Sequence, residues 1–158
     1  DRMLLAQIRD ARYGLVGEVE AVNPAPIQCA LGAGYVAVVA PLAVTSDGTF
    51  LNVNADTAAA EIAVALGADT FISLTDVDGV SAGDGKGPMR RMSPTMAREL
   101  IGAGVIHGGM IPKVEACARA LAVARAAYIV DGRAPHVVID ALRAADGVGT
   151  VVSTDSRE

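Results

Sequence analysis

Long hydrophobic runs are missing from this sequence. The longest apolar stretch, YVAVVAPLAV at residues 35 to 44, has ten residues and includes a proline, against roughly 18 or more for a membrane-crossing helix. A soluble chain without a membrane partner is expected. Excess positive charge is missing too. The net charge is −5, and Arg90-Arg91 is too short a cluster to build a field for phosphate backbones, so nucleic acid is not an expected partner. Cysteine is limited to Cys29 and Cys117, with neither a CxxC nor any metal-ligand spacing. Both fall in helical patterns and read as reduced core residues of a cytoplasmic protein, and no metal site is expected. Lysine is scarcest among the charges: eleven arginines accompany only Lys86 and Lys113. Each lysine therefore needs a physical account.

What is present is apolar content of 52% over 158 residues, enough for one domain with a continuous core. Residues 1 to 12, DRMLLAQIRDAR, fit either a frayed helix or an edge strand. GLVGEVEAV at 14 to 22 reads as a strand bent or bulged at its glycines. Asn23-Pro24 opens a short helix that stops between Gly32 and Gly34. YVAVVAPLAV reads as a buried strand, with TSDGT turning the chain back through FLNVN as a hairpin. From Asn54 the apolar period becomes helical, with Ala58, Ile62, Ala65 and Leu66 on one stripe and Gly67 as the stop. TFISLT at 70 to 75 reads as a strand covered on both faces. SPTMARELIGAG at 93 to 104 is a helix, as is the segment carrying Val114, Cys117, Ala118 and Leu121. AYIVD, PHVVIDALRA and GVGTVVS supply a strand, a helix and a last strand. The alternation predicts an α/β fold, a three-layer αβα sandwich with a mainly parallel sheet, as a single domain over 1 to 158.

In such sheets ligands sit beyond the carboxyl ends of the strands. Three motifs fall there. NVNAD at 52 to 56 brings Asn52, Asn54 and Asp56 to a helix start, where Asn54 or Asp56 is equally a cap. TDVDGV at 75 to 80 joins a strand-end threonine, two carboxylates and a glycine that admits close approach, or is a plain turn. HGGMIPKVEA at 107 to 116 places Lys113 in the first turn of its helix. The helix dipole disfavours a cation there by about 0.3 to 1 kcal/mol. An anion such as a polyphosphate would reverse that cost by meeting the amides, the dipole and the ammonium together; the bland alternative is a surface lysine whose stem swings into water. Asp56 could hold Lys113 charged and oriented.

NVNADTAAAEIAVALGA, LTDVDGV, GVIHGGMIPKVEACARAL, AYIVDGRAPHVV and GVGT, in that order and spacing, resemble the C-terminal part of the acetylglutamate kinases, members of the amino acid kinase family. The likeness runs over about 140 residues, from GLVGEVEAVNP almost to the end. It implies phosphoryl transfer from ATP, with Mg2+, to the side-chain carboxylate of N-acetyl-L-glutamate in arginine biosynthesis. By the same resemblance, Lys113 stabilises the transferring phosphoryl group and Asp56 organises the active-site lysines. Asn52, with Asn54 beside it, binds the acylated substrate. Thr75, Asp76, Val77, Asp78, Gly79, Val80 and Ser81 run along the nucleotide, and Val105, Ile106, His107 and Met110 form the second nucleotide-contacting segment. A lysine suits phosphoryl transfer because a compact, mobile point charge follows the moving group better than a planar guanidinium.

The same resemblance implies that the family's other catalytic lysine and substrate clamp belong to an N-terminal lobe this chain lacks. The start on Asp1 with Met3 close behind points the same way. The expectation is a nucleotide half-site with little or no kinase activity by itself. His136, Asp146 and Gly149 match positions that help bind the inhibitor L-arginine in one branch of the family, and the intact protein is expected to be a homo-oligomer. Two other readings remain: a related kinase for carrier-bound aminoadipate, and a non-catalytic arginine- or nucleotide-sensing domain.

Overall fold

The computed structural model describes residues 2–83, 85, 87–143 and 147–154; Asp146 lies outside them. Two compact units divide the chain after Gly67.

In the first unit, β1 (Leu4–Ile8) runs antiparallel to β2 (Val16–Val22) and also meets β3 (Leu42–Val44) through Leu5 opposite Val44. The opening segment is thus an interior strand. With β4 (Phe50–Val53) antiparallel to β3 and parallel to β2, the four strands close in the order β1-β2-β4-β3. Leu5 faces Ala21 while Ala6 faces Val19, so the bulge falls at Glu20 rather than at a glycine. Gly17 serves packing instead: a Cβ there would stand 2.9 Å from that of Leu51. At the entry to α1 (Ala25–Gly32), Asn23 stands just ahead of the N-cap Pro24 and accepts from the Ala25 amide at 3.1 Å.

The turn at 45 to 49 closes the expected hairpin, with the Thr45 amide donating to Thr49 at 2.9 Å. Only its last three residues before the turn are strand, however. Tyr35, Val36 and Val38 are 69%, 88% and 94% exposed, which corrects the buried strand expected over 35 to 44. Apolar content makes a strand only where neighbours pair the backbone and cover the side chains, and among the described residues that pairing begins at Leu42.

Asn54 caps α2 (Ala55–Leu66), and Gly67 ends it in the left-handed conformation at φ 64°. The core of this unit joins Leu4, Ala6, Ala43, Leu51, Val53 and Ala58. The fully covered face of α2 is Ala58, Ala60 and Ala63; Ala65 and Leu66 of the expected stripe are only half-buried.

The second unit holds a sheet in the order β5-β7-β8-β6. β5 (Thr70–Thr75) and β7 (Ala126–Asp131) are parallel, β8 (Thr150–Val152) is antiparallel to β7, and the short β6 (Arg91–Met92), unforeseen in the sequence, is parallel to β8. β5 takes an outer position, and Leu74 is 47% exposed, so it is not covered on both faces as expected. β7 is the interior strand: residues 127 to 130 are buried in succession, which requires cover on both faces.

Tyr128 and Val130 pack with Ala141 of α5 (Val137–Leu142). α4 (Met110–Ala120) lies against β5 and β7, burying Val114, Ala116, Cys117 and Ala120. Ala118 and Leu121 of the expected α4 stripe are half-buried. Ser93 caps α3 (Pro94–Gly102) through the Met96 amide at 3.1 Å. Cys117 is a core residue, whereas Cys29 is exposed, contrary to expectation: Ile27 is the residue that α1 buries. No helix of the described residues is long and apolar enough to cross a membrane.

Candidate functional site

Because β5 and β7 are parallel and in register, their carboxyl ends bring Thr75 and Asp131 opposite each other. The Gly132 amide donates to the Thr75 carbonyl at 2.8 Å and ties the two exits together. The following loops, 76–81 and 132–136, therefore share one edge of the sheet, where ligands collect in α/β folds.

Asp76 and Asp78 are exposed on the first loop, and Thr75 Oγ1 lies 3.4 Å from an Asp76 oxygen. On the second, Asp131 accepts from Arg133 Nε at 2.9 Å and Nη2 at 2.8 Å. The side-chain bonds to Arg133 lead in lowering the Asp131 pKa, to about 2. Arg133 is held above its ordinary value first by Asp131, with smaller contributions from Asp76 and Asp78. A cavity of about 330 Å3 opens at this edge, lined by Asp78, Arg90, Asp131, Asp140 and Gly149 among others.

The loop from β5 is seated by residues the sequence did not single out. Gly79, at φ 132°, approaches so closely that a Cβ would stand 2.6 Å from Thr150 Oγ1. The Val80 amide donates to that oxygen at 2.8 Å, and the hydroxyl donates to the Met89 carbonyl at 2.6 Å. Met89 returns its own amide to Val80 at 2.8 Å. Gly149 must be glycine as well, since a Cβ would meet the Ile129 carbonyl at 2.2 Å. Arg90 donates to the Gly147 carbonyl at 2.9 Å. Thr150 was legible only as part of GVGT; its seventy-residue reach to Val80 carries no sequence signal.

Of the remaining positions, Val77 and Ser81 are exposed, and Ser81 accepts from the Gly83 amide at 3.1 Å. Val105 is half-buried and Ile106 is 3% exposed, both amides donating to Leu100. With its amide spent on Leu100 and its side chain buried, Ile106 has only its carbonyl left to offer a ligand. His107 is exposed and accepts from the Met110 amide at 3.3 Å, starting α4, of which Lys113 is the fourth residue. Lys113 is half-buried at the end of the first turn, as the sequence predicted. His136 heads α5 at φ 61° between Pro135 and Val137, which line the cavity, and is itself exposed.

In the first unit, Asn52 stands exposed between buried Leu51 and Val53. The Asn54 side chain accepts from the Thr57 amide at 3.0 Å and so caps α2. Asp56 is half-buried in the first turn of α2. Among the described residues no cluster of three or more His, Cys, Asp or Glu could hold a metal ion.

Comparison with known proteins gives a consistent picture. The family model described as "Amino acid kinase family" matches residues 3–131. An acetylglutamate kinase of Methanothrix thermoacetophila is 48% identical over 144 residues, 89% of this chain and 50% of that protein. One from Synechococcus sp. is 43% identical over 156 residues, 96% of this chain and 52% of that protein. The chain thus spans about half the length of the curated relatives it matches. Among solved structures, smu.665 from Streptococcus mutans superposes with TM-score 0.82 at 31% identity, covering 97% of this chain and 57% of that one. Carbamate kinase from Giardia lamblia bound to AMP-PNP shares the fold at TM-score 0.72 and 19% identity, covering 97% and 60%. With a family model over most of its length and relatives of this similarity, the chain belongs to the amino acid kinase family.

Proposed function

We propose that this chain supplies the nucleotide half-site of an acetylglutamate kinase, which transfers a phosphoryl group from ATP to the side-chain carboxylate of N-acetyl-L-glutamate. The observation that carries the proposal is the identity of 43% to 48% with acetylglutamate kinases across nearly the whole chain. That similarity extends through the β5 loop and the start of α4, the two segments assigned to the nucleotide.

When bound, Mg-ATP supplies the phosphoryl group. Lys113, behind Gly108 and Gly109 at the head of α4, neutralises charge on its oxygens, and the glycines let those oxygens approach the main chain. Asp76 and Asp78 suit a hard cation that keeps most of its shell as water and phosphate, since Mg2+ in such sites takes one or two protein carboxylates rather than a cage. On the first unit, Asn52 is the substrate-side candidate, Asp56 the organising carboxylate, and Asn54 acts by setting the start of α2. Alone, the chain binds nucleotide and turns over little or nothing.

Calorimetric titration of Mg-ATP into the chain, with Lys113→Ala and Lys113→Arg in parallel, tests this reading. Binding weakened about tenfold in the alanine variant and only partly restored by arginine is expected, because a planar fork does not replace a point charge. Equal affinity in all three would remove Lys113 from the site.

A second reading, arginine sensing, is favoured by one observation: Gly149 lines the cavity together with the carboxylates of Asp78 and Asp140. A guanidinium is matched by such carboxylates. Arginine heat without Mg-ATP heat would support sensing over catalysis.

A further inference from the structure

The hydroxyl of Thr150 sits where three segments meet. It is fully buried, and it uses both its hydrogen-bonding roles: it accepts from the Val80 amide at 2.8 Å and donates to the Met89 carbonyl at 2.6 Å. Val80 and Met89 are also joined directly, amide of Met89 to carbonyl of Val80 at 2.8 Å, and Ser81 bridges to Pro88 just beyond. The glycine-rich excursion that follows Val80 is thus closed at its neck, and the neck is bolted to the first residue of β8. Immediately before it, Gly79 packs against the same side chain with no room for a Cβ. A β-branched residue with an oxygen fits this place. The hydroxyl satisfies the buried Val80 amide and the part-buried Met89 carbonyl together.

We propose that Thr150 is the positioning residue of the nucleotide loop: its hydroxyl holds the Gly79-Val80 backbone, and through it the Asp76 and Asp78 carboxylates, in the arrangement that receives Mg-ATP. This rests on the reading of residues 75–81 as the nucleotide loop. Thr150 does not touch the ligand; it acts through the main chain of Val80. Gly149 next to it lines the cavity while Thr150 grips the loop, so the Val80–Thr150 bond ties residues 149–150 to the loop after β5 at this edge of the sheet.

The test uses Thr150→Val, which keeps the shape and removes the hydroxyl, and Thr150→Ser, which keeps the hydroxyl. Two readouts are taken: amide hydrogen exchange at Val80 compared with Val130 in the interior of β7, and the Mg-ATP dissociation constant by calorimetry. In the valine variant, Val80 exchange should speed up by about tenfold or more while Val130 is unchanged, the loss of one buried hydrogen bond being local. Mg-ATP affinity should fall by a similar factor, roughly tenfold, and serine should restore both.

Unchanged Val80 exchange in Thr150→Val overturns the proposal, as does a loss of affinity that serine does not restore. Faster exchange at Val80 and Val130 together means a general loss of stability and also counts against it. If the unsubstituted chain gives no heat with Mg-ATP, the nucleotide reading fails, and the clasp on the loop stands or falls on the exchange data alone.

Discussion

Asp131 and Arg133 form a two-bond ion pair across a single intervening glycine, with the Arg133 amide adding a third bond to Asp131 Oδ1 at 2.9 Å. The carboxylate's side chain is only 14% exposed, while the guanidinium is 70% exposed. The pair closes the turn that leaves β7 and stands at the rim of the cavity.

Its pH dependence has a definite sign. The folded pKa of Asp131, about 2, lies below its ordinary value of 3.8, so the unfolded chain takes up the proton first on acidification. The stabilising contribution is complete above the ordinary value and is lost as pH falls through about 2. Thermal melts of the protein and of Asp131→Asn should differ by a constant amount from neutral pH down to roughly pH 5, and the gap should shrink below that and close by roughly pH 1. Exposure of the arginine keeps the gap modest through solvent screening. A gap that persists undiminished at the acid end would assign it to packing rather than to charge.

Asn54 separates two roles that the sequence left together. As a cap it contributes about 0.5 to 2 kcal/mol to the stability of the fold, so Asn54→Ala should lower the unfolding free energy by that amount, and with it the urea midpoint, with no ligand present. Asn54→Asp should recover most of it, since aspartate caps as well. Asn52→Ala, on the exposed face of β4 and away from any cap, should leave the midpoint unchanged. If Asn54→Ala is neutral, the cap is not what keeps that residue in place.

The contrast between Leu51 and Val38 measures where the first unit is held together. Leu51 is fully buried among Leu4, Ala6, Ala43 and Val53, and Leu51→Ala should cost about 2 to 5 kcal/mol by lost burial and a cavity. Val38 is 94% exposed, and Val38→Ser should change stability by no more than about 0.5 kcal/mol. Denaturant unfolding monitored by circular dichroism decides. A large loss from Val38→Ser would place residues 35 to 38 in a contact the chain makes in solution.

The two thiols should react at very different rates. Cys29 is exposed, while Cys117 is buried beneath β7 with its sulfur 3.9 Å from the Tyr128 carbonyl. A thiol reagent at neutral pH should label one group per chain quickly and the second only on unfolding. Cys29→Ser should abolish the fast phase; fast labelling of both groups would mean that α4 opens readily.

Local patterns made much of this protein legible before any coordinates. Asn23-Pro24, Asn54, Ser93 and Gly67 mark helix ends because capping is decided by the residue and its nearest amides. TSDGT specified its hairpin in the same way, and HGGMIPK placed Lys113 in the first turn of α4. The family resemblance was legible because these motifs recur in order along the chain, and it holds across the matched relatives.

Tertiary structure decided whatever depends on distant partners. YVAVVAPLAV has the composition of a buried strand, yet Tyr35, Val36 and Val38 lie exposed, because composition cannot say whether a neighbouring strand is there to pair with. The apolar run of β5 predicts cover on both faces, but its outer place in the sheet leaves Leu74 half in water. The sequence suggests a bend at Gly17, whereas in the fold that glycine gives clearance for Leu51. Thr150 drew no attention as a residue, because a threonine at the start of a strand is ordinary. Its meaning lies in Val80 and Met89, which only folding brings to either side of its hydroxyl. Caps and turns are contacts within a few residues and are written locally; burial, edge position and the seating of a loop are contacts across the sheet, set by the chain's whole path.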